Sequence, residues 1–195
     1  IPADARVWDM KGQTIYPGLI DSYSDYGLPK APKPSPLAEG ESAIGGRPQQ
    51  AEPTRGADYW NNMVIAQNNA AELFSPDPKA AEKFRSQGFT SALIVPQRGI
   101  IKGKSAVVNL GDGKGNDVLV RSNVAHHIQL AGEFGREGYP GSLFGIIALI
   151  RQALYDADWY NKAHDAYAKN PSLQRPETNE ALAALRDVIP ASGAG

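Results

Sequence analysis

Three stretches of this sequence hold residue types whose spacing suggests chemistry. Gly99-Ile100-Ile101-Lys102-Gly103-Lys104-Ser105 follows a strand-like run and ends in Gly-Lys-Ser, as a phosphate-cradling loop does. Such a loop has four residues between its glycines and opens a helix whose amides face the phosphate. Here three residues separate Gly99 from Gly103, and Ser105 leads into the strand-like Ala106-Val107-Val108. The expectation is therefore a solvated basic turn and no nucleotide site. Asp112-Gly113-Lys114-Gly115-Asn116-Asp117 resembles the start of a calcium loop, but its sixth position lacks glycine and its twelfth, Asn123, lacks a carboxylate. It reads as a hairpin turn built on Asx and glycine chemistry. His126-His127 is the third stretch. Neighbours on a strand point to opposite faces, so the two rings do not ligate one metal; one is expected inward and the other outward. His164, within a helical stripe, is read as a packing residue. No Gly-x-Ser-x-Gly elbow exposes a serine, and zero cysteines exclude a disulfide framework, a thiolate zinc site and a cysteine nucleophile.

These residues must be positioned by regular elements. Ala5 to Asp9 and Gln13 to Tyr16 read as a hairpin around Lys11-Gly12, and Leu19-Ile20 as the start of a short strand running to Asp21. From Leu28 to Gly56, prolines and glycines dominate and large apolar residues are few, which predicts a long excursion with no core of its own. Asp58 caps a predicted helix through Leu73; Asp77-Pro78 opens a second through Gln87, ended by Gly88. Phe89 to Val95, Ser105 to Leu110 and Asp117 to Arg121 read as strands, with Val124 to Leu130 extending the last or standing apart. Leu143, Ile147, Ile150, Leu154, Ala157, Tyr160, His164 and Tyr167 form a helical stripe stopped by Asn170-Pro171. Tyr155, Trp159, Tyr160 and Tyr167 are packing aromatics here, not a platform for bases. A final helix spans Glu177 to Ile189, with Leu182, Leu185 and Ile189 on one face. The mixture places the chain in the α/β class.

Composition limits the function. With 195 residues, 20 Lys+Arg against 21 Asp+Glu and a net charge of -1, the chain lacks the basic surplus that general nucleic-acid binding needs. No apolar run approaches the roughly 20 residues of a membrane helix. Ile1-Pro2 without a leader before it, and Ser192-Gly193-Ala194-Gly195 at the close, suggest a piece of a longer protein.

Met10-Lys11-Gly12-Gln13-Thr14-Ile15-Tyr16-Pro17-Gly18-Leu19-Ile20-Asp21 resembles the amidohydrolase superfamily, in particular the imidazolonepropionase-like and dihydroorotase-like metal hydrolases. Phe84-Arg85-Ser86-Gln87-Gly88-Phe89-Thr90-Ser91-Ala92 is similar to that family's entry to its second barrel strand. Lys104 to Leu110 and Tyr139-Pro140-Gly141-Ser142 are similar to its exported bacterial members, which implies a compartment outside the cytoplasm such as the periplasm. The resemblance implies a partial (β/α)8 TIM-like barrel over 18–195, with the Pro/Gly-rich loop 28–56, preceded over 1–17 by the end of a small β-sandwich. It also implies that the remainder of the barrel or a partner chain covers an apolar strand edge and an apolar helix face.

The family's first strand continues Asp-x-His-x-His, and those imidazoles bind a divalent metal, zinc above all, that activates water. In this sequence, Tyr23 and Asp25 stand at the two histidine positions, giving Asp21-Ser22-Tyr23-Ser24-Asp25. The resemblance then implies Tyr23, Ser24 and His127 as pocket-lining residues and Asp25 as the one able to ligate or act as a base. Two functions follow from it. One is hydrolysis of the C–N bond of an amide, cyclic amide or peptide-like small molecule. The other is a catalytically inactive barrel kept for binding or as a scaffold, which the Tyr-x-Asp replacement favours.

Overall fold

The computed structural model of the protein describes residue 4 and residues 6–30, 56–130 and 139–189. Most of the proline-rich excursion, 31–55, lies outside the described residues. In chain order the elements are β1 (Leu19–Ser24), α1 (Ala70–Leu73), α2 (Pro78–Ser86), β2 (Phe89–Ile94), β3 (Ile101–Lys104), β4 (Ala106–Asn109), β5 (Leu119–Arg121), β6 (His126–Ile128), α3 (Leu143–Lys169) and α4 (Glu180–Ala184). One sheet has the order β1-β2-β4-β5; β3 and β6 form a second.

The barrel expectation is overturned. Among the strands of the described residues only β1 and β2 pair in parallel with each other, while β2–β4, β4–β5 and β3–β6 are all antiparallel, and no barrel closes. The reason lies in the connections. A parallel crossover takes a dozen or more residues, usually with a helix. The β1-to-β2 path is long and includes α2, but no helix separates β2 from β4, and a turn joins β4 to β5. The sandwich end is not formed either: residues 6–18 contain a turn at Lys11-Gly12 and no strand.

Local signals account for the elements that did form. The Asp77 carboxylate accepts from the amides of Lys79 and Ala80 at 3.0 and 3.2 Å and caps α2, with Pro78 in its first turn; Gly88, at φ +91°, lets the chain turn into β2. The Asp112 to Asp117 stretch is the β4–β5 turn, where Asn109 Oδ1 accepts from the Gly111 amide at 2.7 Å. Asp58 to Leu73 is not a helix except for its last turn. Asn61 and Asn69 bond backbone amides locally, and Val64 and Ile65 run beside β3, through parallel bridges Val64–Ile101 and Asn69–Lys104. The final helix is shorter than expected, continuing past α4 as one tight turn, Leu185–Asp187.

Two apolar cores result. Tyr26, Ala81, Ala92, Ile94, Ala106, Val108 and Leu110 fill the space between α2 and the four-stranded sheet. Ile101, Val64 and Ile100 meet α3 and α4 through Ile146, Leu149, Ala153, Tyr160, Leu182 and Leu185. The expected stripe of α3 faces inward from Ile150 onward, with Ala157 and Tyr160 buried; in the first turns Ile146 and Leu149 take the buried positions, while Leu143 and Ile147 are exposed and Phe144 is 84% exposed. Leu19 and Ile20 on β1, at the sheet edge, are exposed too. Among the described residues no helix is long and apolar enough to cross a membrane.

Candidate functional site

The end of β1 collects the chemistry. Ser24 is buried and structural: its carbonyl accepts from the Val95 amide at 2.9 Å and its Oγ from the Tyr26 amide at 3.3 Å. Tyr23 is half-exposed, but its hydroxyl accepts a hydrogen bond from Lys102 Nζ at 2.8 Å. The ammonium stands 5.6 Å from the ring centroid, so this is a contact at the hydroxyl end and not over the ring face. Lys102 itself is only 2% exposed.

Lys102 was expected in a solvated turn, and the structure corrects that reading. The two glycines of the Gly99 to Ser105 stretch serve close packing. Gly103 has φ +96°, and a Cβ there would stand 2.2 Å from the Asn68 carbonyl oxygen. This approach lets the Lys104 amide donate to Asn68 at 2.8 Å and the Ile65 amide to Ile101 at 2.9 Å, while β6 pairs on the other edge. β3 is thus flanked on both sides, and its lysine points from a buried strand toward Tyr23. The signal was in the sequence: Ile100-Ile101 before and Ala106-Val107-Val108 after put Lys102 inside an apolar run.

His127 completes the group. Its ring meets that of Tyr23 edge-on at 6.4 Å, and its buried Nε2 has no hydrogen-bond partner among the described residues. Burial, and then the Lys102 charge, hold its pKa below the ordinary histidine range, so the ring is neutral at pH 7. His126 occupies the other face of β6, near Lys104, whose Nζ pairs with Asp187 at 2.8 Å. Burial and the Lys104 charge lower its pKa too. The two rings diverge as expected, but both are half-buried, so neither is the outward one. His164 packs on Tyr160 with centroids 4.2 Å apart.

Asp25 lies elsewhere. It is exposed and borders a cleft of about 460 Å³ whose walls include Tyr26, Leu28, Phe84 and Asp77. Its carboxylate makes no hydrogen bond or ion pair among the described residues, and that of Asp77 is engaged in capping α2. The structure therefore brings Tyr23, His127 and Lys102 together and leaves Asp25 on the rim of a separate space. An ammonium, a phenol and a neutral imidazole can supply hydrogen bonds to an anion or to a carbonyl oxygen. They do not form a nucleophile with an oriented base.

No family model and no curated protein matches the chain. The fold does have a counterpart, an amidohydrolase from Thermotoga maritima MSB8. The two superpose with a TM-score of 0.63 at 20% sequence identity, over 93% of this chain and 44% of that one. The fold is amidohydrolase-like. The chain spans less than half the length of its counterpart, and what the two share at this identity is architecture alone.

A divalent metal, which the family resemblance implies, does not fit these residues. Among the described residues no three His, Cys, Asp or Glu side chains stand close enough to hold one ion. The donor set is also wrong in charge. The phenol at the first histidine position already binds an ammonium, and a metal on that oxygen would face the Lys102 charge across a single hydrogen bond.

Proposed function

We propose that this chain is the ligand-binding part of an amidohydrolase-like protein, and that the residues at the end of β1 hold a small polar molecule without cleaving it. The observation that carries this reading is the 2.8 Å hydrogen bond from the buried Lys102 ammonium to Tyr23, at the position where the family's resemblance places a metal-binding imidazole. A cation built into the protein does locally what the metal would do: it polarises or pairs with an oxygen. It cannot lower the pKa of a bound water to near neutrality as zinc does. The exposed apolar residues Leu19 and Ile20 on β1 and Phe144 on α3 fit a further stretch of chain or a partner packed against them.

Metal content, measured by mass spectrometry on the longest natural form of the protein purified without chelator and then offered zinc, tests this reading. We expect no stoichiometric metal. About one zinc per chain, lost in the Asp25→Ala variant, would overturn it. A second reading, hydrolysis of an amide C–N bond, is favoured by the likeness to the Thermotoga amidohydrolase. It requires a metal site supplied outside the described residues. Turnover of a cyclic amide would establish it.

A further inference from the structure

We infer that Lys102, Tyr23 and His127 form a recognition site for a monocarboxylate, with Tyr23 as its movable cover. This inference rests on the ligand-binding reading above and names the ligand class of that same site.

Charge is the starting point. A lysine ammonium has three donors and loses several kcal/mol of hydration when buried unpaired. Lys102 is 98% removed from solvent, and among the described residues it has one neutral hydrogen-bond acceptor, the Tyr23 hydroxyl, and no carboxylate within ion-pair distance. Two of its donors are thus unanswered by these residues. Beside it, His127 presents a buried Nε2 that also has no partner. A protein that only needed to fill this volume would do so more stably with a methionine or leucine. A negatively charged ligand oxygen answers the free ammonium donors and, in its Nε2–H tautomer, the imidazole as well.

The geometry selects among anions. The group carries one positive charge, because the His127 ring is neutral and Tyr23 is a phenol, so one negative charge balances it. A phosphate dianion would leave a net negative charge in a low-dielectric setting, and a phosphate monoanion would bring hydroxyls that need acceptors of their own, whereas a monocarboxylate brings neither. Two carboxylate oxygens can take separate donors, one from Lys102 and the other from Tyr23 or His127. Access follows from Tyr23. Its ring is half-exposed while the ammonium behind its hydroxyl is closed off, so turning the phenol outward opens a path to Lys102. The hydroxyl can then return onto the ligand. The edge-on contact of Tyr23 with His127 frames the entrance with two flat rings, which suits a planar or aromatic body behind the carboxylate.

Isothermal titration with acetate, benzoate, benzamide and inorganic phosphate tests the inference on the natural protein. We expect benzoate to bind, benzamide to bind at least tenfold more weakly, and phosphate not to compete. Lys102→Met should lose tenfold or more of the benzoate affinity. Tyr23→Phe should lose severalfold, and it keeps the test valid if the lysine variant does not fold. Equal binding of benzoate and benzamide, benzoate affinity unchanged in both variants, tight phosphate binding, or no carboxylate bound by the folded protein would each overturn the inference. None of these outcomes reports on metal content, so a failure here leaves the zinc measurement to decide the broader reading.

Discussion

Tyr23 and Asp25 stand two residues apart at the end of β1 and meet different surroundings. The Tyr23 hydroxyl holds a buried ammonium beside an imidazole, supplied by β3 and β6. Asp25 borders an open cleft walled by aromatic and aliphatic residues from the β1–α2 region. In a histidine pair at this spacing both side chains would converge on one ion. Here neighbouring elements assign them separate tasks, so spacing along a strand defines a site only when the flanking elements bring matching partners.

Glycines hold both neighbourhoods in place, and replacing them breaks one side at a time. On the Tyr23 side, Gly103→Ala would put a methyl 2.2 Å from a backbone oxygen at φ +96°. The strand would have to leave Asn68, with a cost of about 4 kcal/mol from strain and overpacking together. On the Asp25 side, Gly27 has φ +68°, and its added Cβ would meet the Phe74 ring at 2.5 Å and the Ser75 carbonyl at 2.8 Å. The ring can shift, and the Ser75 carbonyl must give by a few tenths of an ångström, less than the 2.2 Å approach at Gly103 demands, so Gly27→Ala should cost about 3 kcal/mol. Denaturant midpoints of the two variants check the order. The reverse order would mean that β3 is less firmly placed than its hydrogen bonds indicate.

Much of this frame is legible in the sequence, and the failures share a cause. Asp77-Pro78, Gly88, the apolar run of β2 and the Asp112 to Asp117 turn are local signals, and each acts where it stands. Val64, Ile65 and Lys102 are placed by contacts between segments distant in sequence. Helical spacing over Asp58 to Leu73 lost to hydrogen bonds with β3, and basic composition over Lys102 to Lys104 lost to the burial of a strand. The barrel expectation failed the same way: the resembling stretches Lys11 to Asp21 and Phe84 to Asn109 are local matches, and they do not fix how β2, β4 and β5 pair, which is antiparallel. The candidate site depends on such a contact: Tyr23 is visible in the motif and the apolar run around Lys102 hints at its burial, but only the fold brings the two together.

Acidity separates the two neighbourhoods next. The folded protein lowers the pKa of both His126 and His127, chiefly by burial, whereas the unfolded chain titrates near the ordinary value of about 6.5. Between the lowered values and that value the unfolded chain binds more protons, so stability rises with pH there. The contribution is complete above that window and is lost as pH falls through it. Asp187, held low by Lys104, acts separately at more acid pH, below its ordinary 3.8. Melting temperature should therefore fall as pH drops from 7.5 toward 5, and His127→Asn should flatten part of that slope. A slope unchanged in His127→Asn would show that the imidazole beside Tyr23 is not the neutral, desolvated group its burial implies.

The smallest effect is expected at Asp25, and its smallness is the point. An exposed carboxylate without a hydrogen bond or an ion pair among the described residues contributes little to folding, and surface substitutions of this kind stay within about 0.5 kcal/mol. Asp25→Ala should then leave both the melting temperature and the benzoate affinity at their wild-type values, whereas Tyr23→Phe changes the affinity. Carboxylate binding that weakens equally in the two variants would place Asp25 and Tyr23 in one site after all. The two neighbourhoods would then merge when the carboxylate binds.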